Sequence, residues 1–237
     1  MTNALEVKGL RKSYGEKVVL KGIDLYVRRG DIFALLGVNG AGKTTTLECI
    51  EGLRKYDGGT ISANGRIGIQ LQSAALPAHI KGGEAVRLFA KWNRKPADAS
   101  MLAALGVDSI ANKQYQAMST GQKRRLHLAL ALICDPDIVF LDEPTAGLDI
   151  EGRISLHEYI RNLKAQGKTI ILASHDMAEV ESLCDSIAIL RDGEIAFAGT
   201  VIALTEKIGK HYNIQIRTGQ GLETYESDDI RASLITI

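Results

Sequence analysis

Gly37-Val38-Asn39-Gly40-Ala41-Gly42-Lys43-Thr44 places three glycines, a lysine and a hydroxyl in eight consecutive positions. The spacing is GxxxxGK[ST]. Glycine allows a backbone path that aims several N–H groups at one anion. A helix opening directly after the loop adds the partial positive charge of its N-terminus. Lys43 can then neutralise the outer phosphates of a nucleoside triphosphate, and the Thr44 hydroxyl suits Mg²⁺. The segment is therefore read as a cradle for ATP and Mg²⁺, with Asn39, Ala41 and Thr45 in the same cradle.

A second group lies a hundred residues on. Asp137–Leu141 is apolar after its first residue and leads into Asp142-Glu143. A lone carboxylate at the end of a buried strand is costly. A bound Mg²⁺ relieves that cost for Asp142. Glu143 follows and can polarise an attacking water.

These residues need a frame, and the hydrophobic pattern predicts one. Leu5–Lys8, Val18–Leu20 and Ile23–Val27 read as strands, with a turn at Tyr14-Gly15. Ile32–Leu36 is an unbroken apolar run, as a strand buried on both faces requires. A helix is expected over Thr44–Leu53, then short strands at Gly59–Ala63 and Arg66–Leu71. From Ser73 to Cys134 the pattern turns helical, at Gly83–Asn93, Ala97–Leu105 (with Pro96 suiting the start) and Thr120–Cys134. Trp92 and Phe89 read as core packing of that lobe. Alternation then resumes with strand Asp137–Leu141, helix Ile150–Gln166, strand Thr169–Ala173 and helix Met177–Cys184. Asp192-Gly193 predicts a hairpin between Ser186–Leu190 and Glu194–Ala198. Alternating elements argue a mostly parallel sheet covered by helices, with 73–134 inserted. Val201–Ile208 reads as a short helix, Tyr212–Thr218 as a strand and Gly219–Asp229 as a loop.

The bulk numbers add exclusions. With 29 basic and 28 acidic residues the net charge is +1, so nothing demands a nucleic acid. Cys49, Cys134 and Cys184 are scattered, which argues against zinc or a disulfide framework and suits a reducing cytosol. The first residues, MTNALEVKGL, lack the apolar stretch of a signal peptide. The longest strictly apolar run, Leu128–Cys134, is far short of the ~20 residues of a membrane span. His79, His127, His157 and His211 show no ligand spacing and read as structural or solvated.

Met118-Ser119-Thr120-Gly121-Gln122 resembles LSGGQ, the signature of the ATP-binding cassette family. The resemblance covers about residues 3–205, and its parts come in the family's order. Tyr14 stands where that family stacks a ring on adenine. Gln72 stands at its Q-loop glutamine, with Gln70 two residues earlier as the alternative. Ala146-Gly147-Leu148-Asp149 is similar to its D-loop and His175 to its switch histidine. The resemblance implies an α/β fold: a P-loop NTPase (RecA-like) core, an antiparallel β subdomain and an inserted helical subdomain. It implies a nucleotide-binding domain over 1–205, with the helical part at about 73–134, and a short extension over 206–237. Glu143, His175 and Gln72 take catalytic roles. Tyr14, Gly37, Asn39, Gly40, Ala41, Gly42, Lys43, Thr44 and Thr45 hold ATP. Ser119, Gly121, Gln122 and Asp149 reach the ATP of a second cassette, facing head to tail. Thr44, Gln72 and Asp142 hold Mg²⁺.

The segment departs from the pattern at two positions: Thr120 replaces the first signature glycine, and Met118 the leading leucine. Thr120 is the departure that bears on the phosphate. It fits if its φ is negative, with the hydrolysis rate then open to change. Three uses of the ATP compete: a transporter, a DNA-repair or chromosome ATPase, and a translation factor. The second needs long coiled coils or zinc modules, and the third a second phosphate loop; the chain has neither. Leu47–Leu53 and Leu71–Pro77 resemble cassettes of ABC-2 type exporters. The expectation is an ATPase subunit on the inner face of a membrane, working with a separate permease.

Overall fold

The computed structural model describes residues 2–70, 75–208, 212–218 and 221–227, with side chains as far as residue 206. Gln72 and His211 lie outside the described residues. The chain divides into two compact units, Met1–Ala198 and Gly199–Ile237.

The first unit opens with a long hairpin. β1 (Asn3–Tyr14) and β2 (Lys17–Arg28) pair antiparallel and close at Tyr14 opposite Lys17. The sequence pattern suggests three short strands here. Register shifts along the ladder let two long strands continue through the polar stretches instead. β3 (Ile32–Leu36) is buried at every residue. After the loop comes α1 (Lys43–Ile50), three residues shorter than expected at its end. β4 (Gly58–Ala63) returns to β1 and completes a three-stranded antiparallel sheet, β2-β1-β4.

β5 (Ile67–Gln70) begins the second sheet. The helical lobe follows, with α2 (Gly82–Asn93), α3 (Ala99–Ala104) and α4 (Thr120–Leu132). α3 starts later than Pro96 suggests, because the Asp98 carboxylate accepts from the N–H groups of Ser100 and Met101. An aspartate cap satisfies orphan donors that a proline start leaves open. On α2 the core reading of Trp92 does not hold: Trp92 is 79% exposed and Leu88 51%. The side of α2 that packs inward is the small-residue side of Gly82, Ala85 and Val86.

Strict alternation then builds the sheet. β6 (Ile138–Asp142), α5 (Ile150–Ala165), β7 (Thr169–Ser174), α6 (Met177–Leu183), β8 (Ser186–Arg191) and β9 (Glu194–Thr200) follow in order. The six strands lie as β5-β6-β7-β3-β8-β9. β5 to β8 are all parallel. β3, β6 and β7 are buried throughout, which explains their unbroken apolar sequences.

Gly68 on β5 has a clear reason. A Cβ there would sit 2.4 Å from the Ala131 carbonyl oxygen and 2.7 Å from Pro136 Cγ. α4 therefore seats directly on β5.

In the second unit α7 (Val201–Ile208) is followed by β10 (Tyr212–Thr218) and β11 (Gly221–Ser227), paired from Tyr212↔Ser227 to Thr218↔Gly221. The loop expected over Gly219–Asp229 is thus a strand across 221–227. Its polar composition hid it, because cross-strand pairing rather than apolar alternation defines it.

Gly68→Ala is expected to lower unfolding stability by about 1–3 kcal/mol, the usual cost of overpacking. Denaturant titration checks this. Unchanged stability would mean that α4 can shift off β5 at no cost.

Candidate functional site

The loop between β3 and α1 turns on two left-handed glycines, Gly40 (φ 84°) and Gly42 (φ 108°). A side chain is strained in either conformation. Gly42 caps α1, so the helix opens with Lys43. The Lys43 ammonium donates to the carbonyl oxygens of Gly37 at 2.7 Å and Val38 at 3.3 Å. It is thereby held across its own loop, and is buried. The Thr44 side is exposed.

The carboxyl ends of β6 and β7 lie beside this loop. Asp142 is buried, and its carboxyl is pushed up, first by burial and then by the charge of Glu143, with Lys43 and Arg124 opposing. Glu143 takes a left-handed φ of 46°. Its N–H bonds the Ala173 carbonyl at 3.1 Å, which fixes the turn. The His175 Nδ1 donates to Glu143 Oε1 at 3.1 Å. Glu143 is only 15% exposed at its side chain, whereas His175 is 60% exposed.

Tyr14, Asn39, Gly40, Gly42, Lys43, Thr44, Thr45, Glu143 and His175 line one open cleft of about 550 Å³. That space accommodates a nucleotide. Lys12 and Arg54 approach the Tyr14 ring to 5.3 and 5.4 Å of its centroid. Lys17 also lines the cleft, although no motif marks it. The available signal is hairpin register, since Lys17 pairs with Tyr14.

Ser119, Gly121, Gln122 and Asp149 do not join this cleft. They line a separate cavity, about 670 Å³, together with Gln70 and Tyr159. Ser119 and Gln122 form a capping box at the start of α4: the Ser119 hydroxyl accepts from Gln122 N–H, and the Gln122 side chain accepts from Ser119 N–H. Thr120 is the first helical residue and is not among those with positive φ. Its methyl faces Gly147. The substitution for glycine is accommodated without backbone strain.

Two further buried groups stand out. His127 stacks on Tyr115 with centroids 5.6 Å apart, and burial pushes its imidazole down. Glu51 follows α1 and has its Oε2 buried without a partner among the described residues. Burial first, then the charges of Asp142 and Glu48, push its carboxyl up to about 7.

A phosphate loop opening a helix beside an Asp-Glu strand end defines a phosphate-loop ATPase. Residues 20–146 match the ABC transporter family model. The chain is 38% identical over 227 residues to the Nod factor export ATP-binding protein I of Ralstonia nicotianae, covering 88% of this chain and 71% of that protein. It is 34% identical over 230 residues to the linearmycin resistance ATP-binding protein LnrL of Bacillus subtilis, covering 90% and 74%. Among solved structures, an ATP binding subunit of an ABC transporter superposes with a TM-score of 0.78 at 29% identity, over 86% of this chain and 93% of that one. An ABC cassette in its ADP conformation shares the fold, with a TM-score of 0.76 at 21% identity over 88% and 95%. The chain belongs to the ABC transporter family, as an ATP-binding and ATP-hydrolysing subunit.

Glu51 has a folded-state value raised from 4.5 to about 7, so the folded chain holds a proton that the unfolded chain releases. Its contribution is complete below pH 4.5 and is lost as pH rises through about 7. Glu51→Gln is therefore expected to flatten the fall in stability over that range. Urea titrations at several pH values check it; an unchanged profile would show that Glu51 titrates normally.

Proposed function

We propose that this chain is the ATP-driven engine of an ABC exporter, acting as a head-to-tail dimer beneath a separate membrane permease. The observation that carries the dimer is the division of the site. Lys43, Glu143 and His175 line one cleft, and Ser119–Gln122 with Asp149 line another. One chain thus offers both halves of a composite site but does not join them. Two copies facing each other would cover each phosphate loop with the other's signature helix. Residues 1–205 would form the nucleotide-binding domain, with a helical part at about 73–134, and 206–237 a short extension.

Each residue has a physical task in this reading. The loop N–H groups and Lys43 hold the phosphates, and Tyr14 stacks on the base. Glu143 accepts a proton from the attacking water, and its bond from His175 keeps it aimed. In the partner site, the Ser119 end of α4 meets the γ-phosphate.

The donor set also suits Mg²⁺. Thr44 supplies an exposed hydroxyl and Asp142 a buried carboxyl that a cation would relieve. Among the described residues no three histidines, cysteines or carboxylates could hold a metal together. That matches an ion that takes its other ligands from phosphates and water. Thr44, Asp142 and Gln72 would hold it, and it would supply charge neutralisation at the β- and γ-phosphates.

Export is favoured by the relatives named for Nod factor export and linearmycin resistance. Among the described residues no helix is long and apolar enough to cross a membrane. The exposed Leu88 and Trp92, four apart on α2, suit apolar contact with short permease helices.

Two experiments test the reading. Glu143→Gln is expected to bind ATP, to hydrolyse it about 10²- to 10⁴-fold more slowly and to accumulate as a dimer on size analysis with ATP. Wild-type turnover would remove Glu143 from its role. Lys43→Ala and Ser119→Arg are each expected to be inactive, and mixing them should restore activity from one intact site per mixed dimer. No recovery on mixing would count against the head-to-tail arrangement.

A further inference from the structure

Behind the cleft lies a buried polar chain that the reaction above leaves unused. Glu179, in the first turn of α6, has a side chain only 4% exposed. The Ser174 hydroxyl donates to its Oε2 at 2.8 Å. Its Oε1 lies 3.3 Å from His157 Nε2. A carboxylate removed from water needs partners at both oxygens, and Glu179 has them. They come from different elements: Ser174 ends β7 and His157 lies midway along α5.

The same chain brackets His175. On one side, Ser174 Oγ bonds Glu179 and also accepts from the Asp176 N–H at 3.0 Å. On the other side, the Asp176 carboxylate caps α6 through the N–H groups of Ala178 and Glu179. It also lies 3.7 Å from Arg153 Nη1. Arg153 and His157 are one turn apart on the same face of α5. The exposed Arg153 pair is weak, so the buried His157–Glu179 contact is the firmer tie. α5 itself is capped by Asp149, whose carboxylate accepts from Gly152 N–H at 2.8 Å. Asp149 borders the cavity of the signature residues.

We propose that Glu179 is a positioning residue for His175. Through Ser174 it fixes the backbone that carries the imidazole against Glu143. Through His157 it ties that backbone to α5, and so to Asp149. A displacement of Asp149 by a second cassette then reaches His175 without either touching the other. The inference rests on the catalytic reading of His175 given above.

The test uses the full chain and reads ATP turnover, KM for ATP and thermal unfolding. Glu179→Gln keeps the side chain's size but turns one acceptor oxygen into a donor. Ser174→Ala removes only a hydroxyl, and carries the same expectation should Glu179→Gln fail to fold. Each is expected to lower kcat about tenfold, the scale of a small misplacement, with KM for ATP unchanged. Neither should lower it further when added to His175→Ala. Losses of equal size in both backgrounds, or a raised KM at unchanged kcat, would overturn the relay as a purely structural effect. If His175→Ala is impaired while both variants match wild type, the relay alone fails. If His175→Ala turns over at the wild-type rate, the catalytic reading of His175 fails and takes the relay with it.

Discussion

The hydrogen-bonded register of β6, β7 and β3 places three strand ends side by side. Asp142 lies opposite Ala173, and Leu36 lies opposite Ser174. Neighbouring strands run ~4.8 Å apart, so the segments that leave these ends stay within ~10 Å of one another. Gly37, Glu143 and His175 are the next residues along each segment. Their proximity is set first by backbone pairing, and the His175–Glu143 contact builds on it. A slip of one residue in a single strand would turn its side chains to the opposite face and disperse the cluster.

Around that edge the protein arranges two kinds of polar group. Lys43, the capping box of α4 and the Glu179 chain are internally satisfied. Asp142 and Glu51 differ from these: burial pushes both carboxyls up, and Glu51 Oε2 has no partner among the described residues. The satisfied groups hold backbone in place. The two raised carboxyls mark where the fold tolerates an electrostatic cost close to the phosphate loop. In the proposed dimer Ser119 would serve two ends, since the hydroxyl it would offer to a second cassette already closes its own helix.

The contiguous parts of the site were legible in the sequence. Gly37–Thr44, Asp142-Glu143 and Met118–Gln122 are local motifs, and local backbone geometry requires their residue types. The buried strands were legible because two-sided burial leaves no room for polar alternation. What escaped notice depends on tertiary placement. Glu179, Ser174 and His157 have no common spacing and meet only when β7, α5 and α6 pack. Trp92 reads as core because helical periodicity reports a face, and a face can be apolar without being covered. β11 reads as loop because its residues are polar on both sides. Gln72, the expected Q-loop residue, lies outside the described residues.

Glu143 sits at φ 46°, a conformation in which a glycine would rest more easily. The neighbouring ladder holds it there, through the bond from its N–H to Ala173. The position thus separates two demands that usually run together in a protein interior. A chain selected only for robustness would drift toward glycine at this turn, while one selected for turnover must keep the carboxylate and accept a less comfortable backbone. In the proposed reaction, activity and durability are opposed at this one residue.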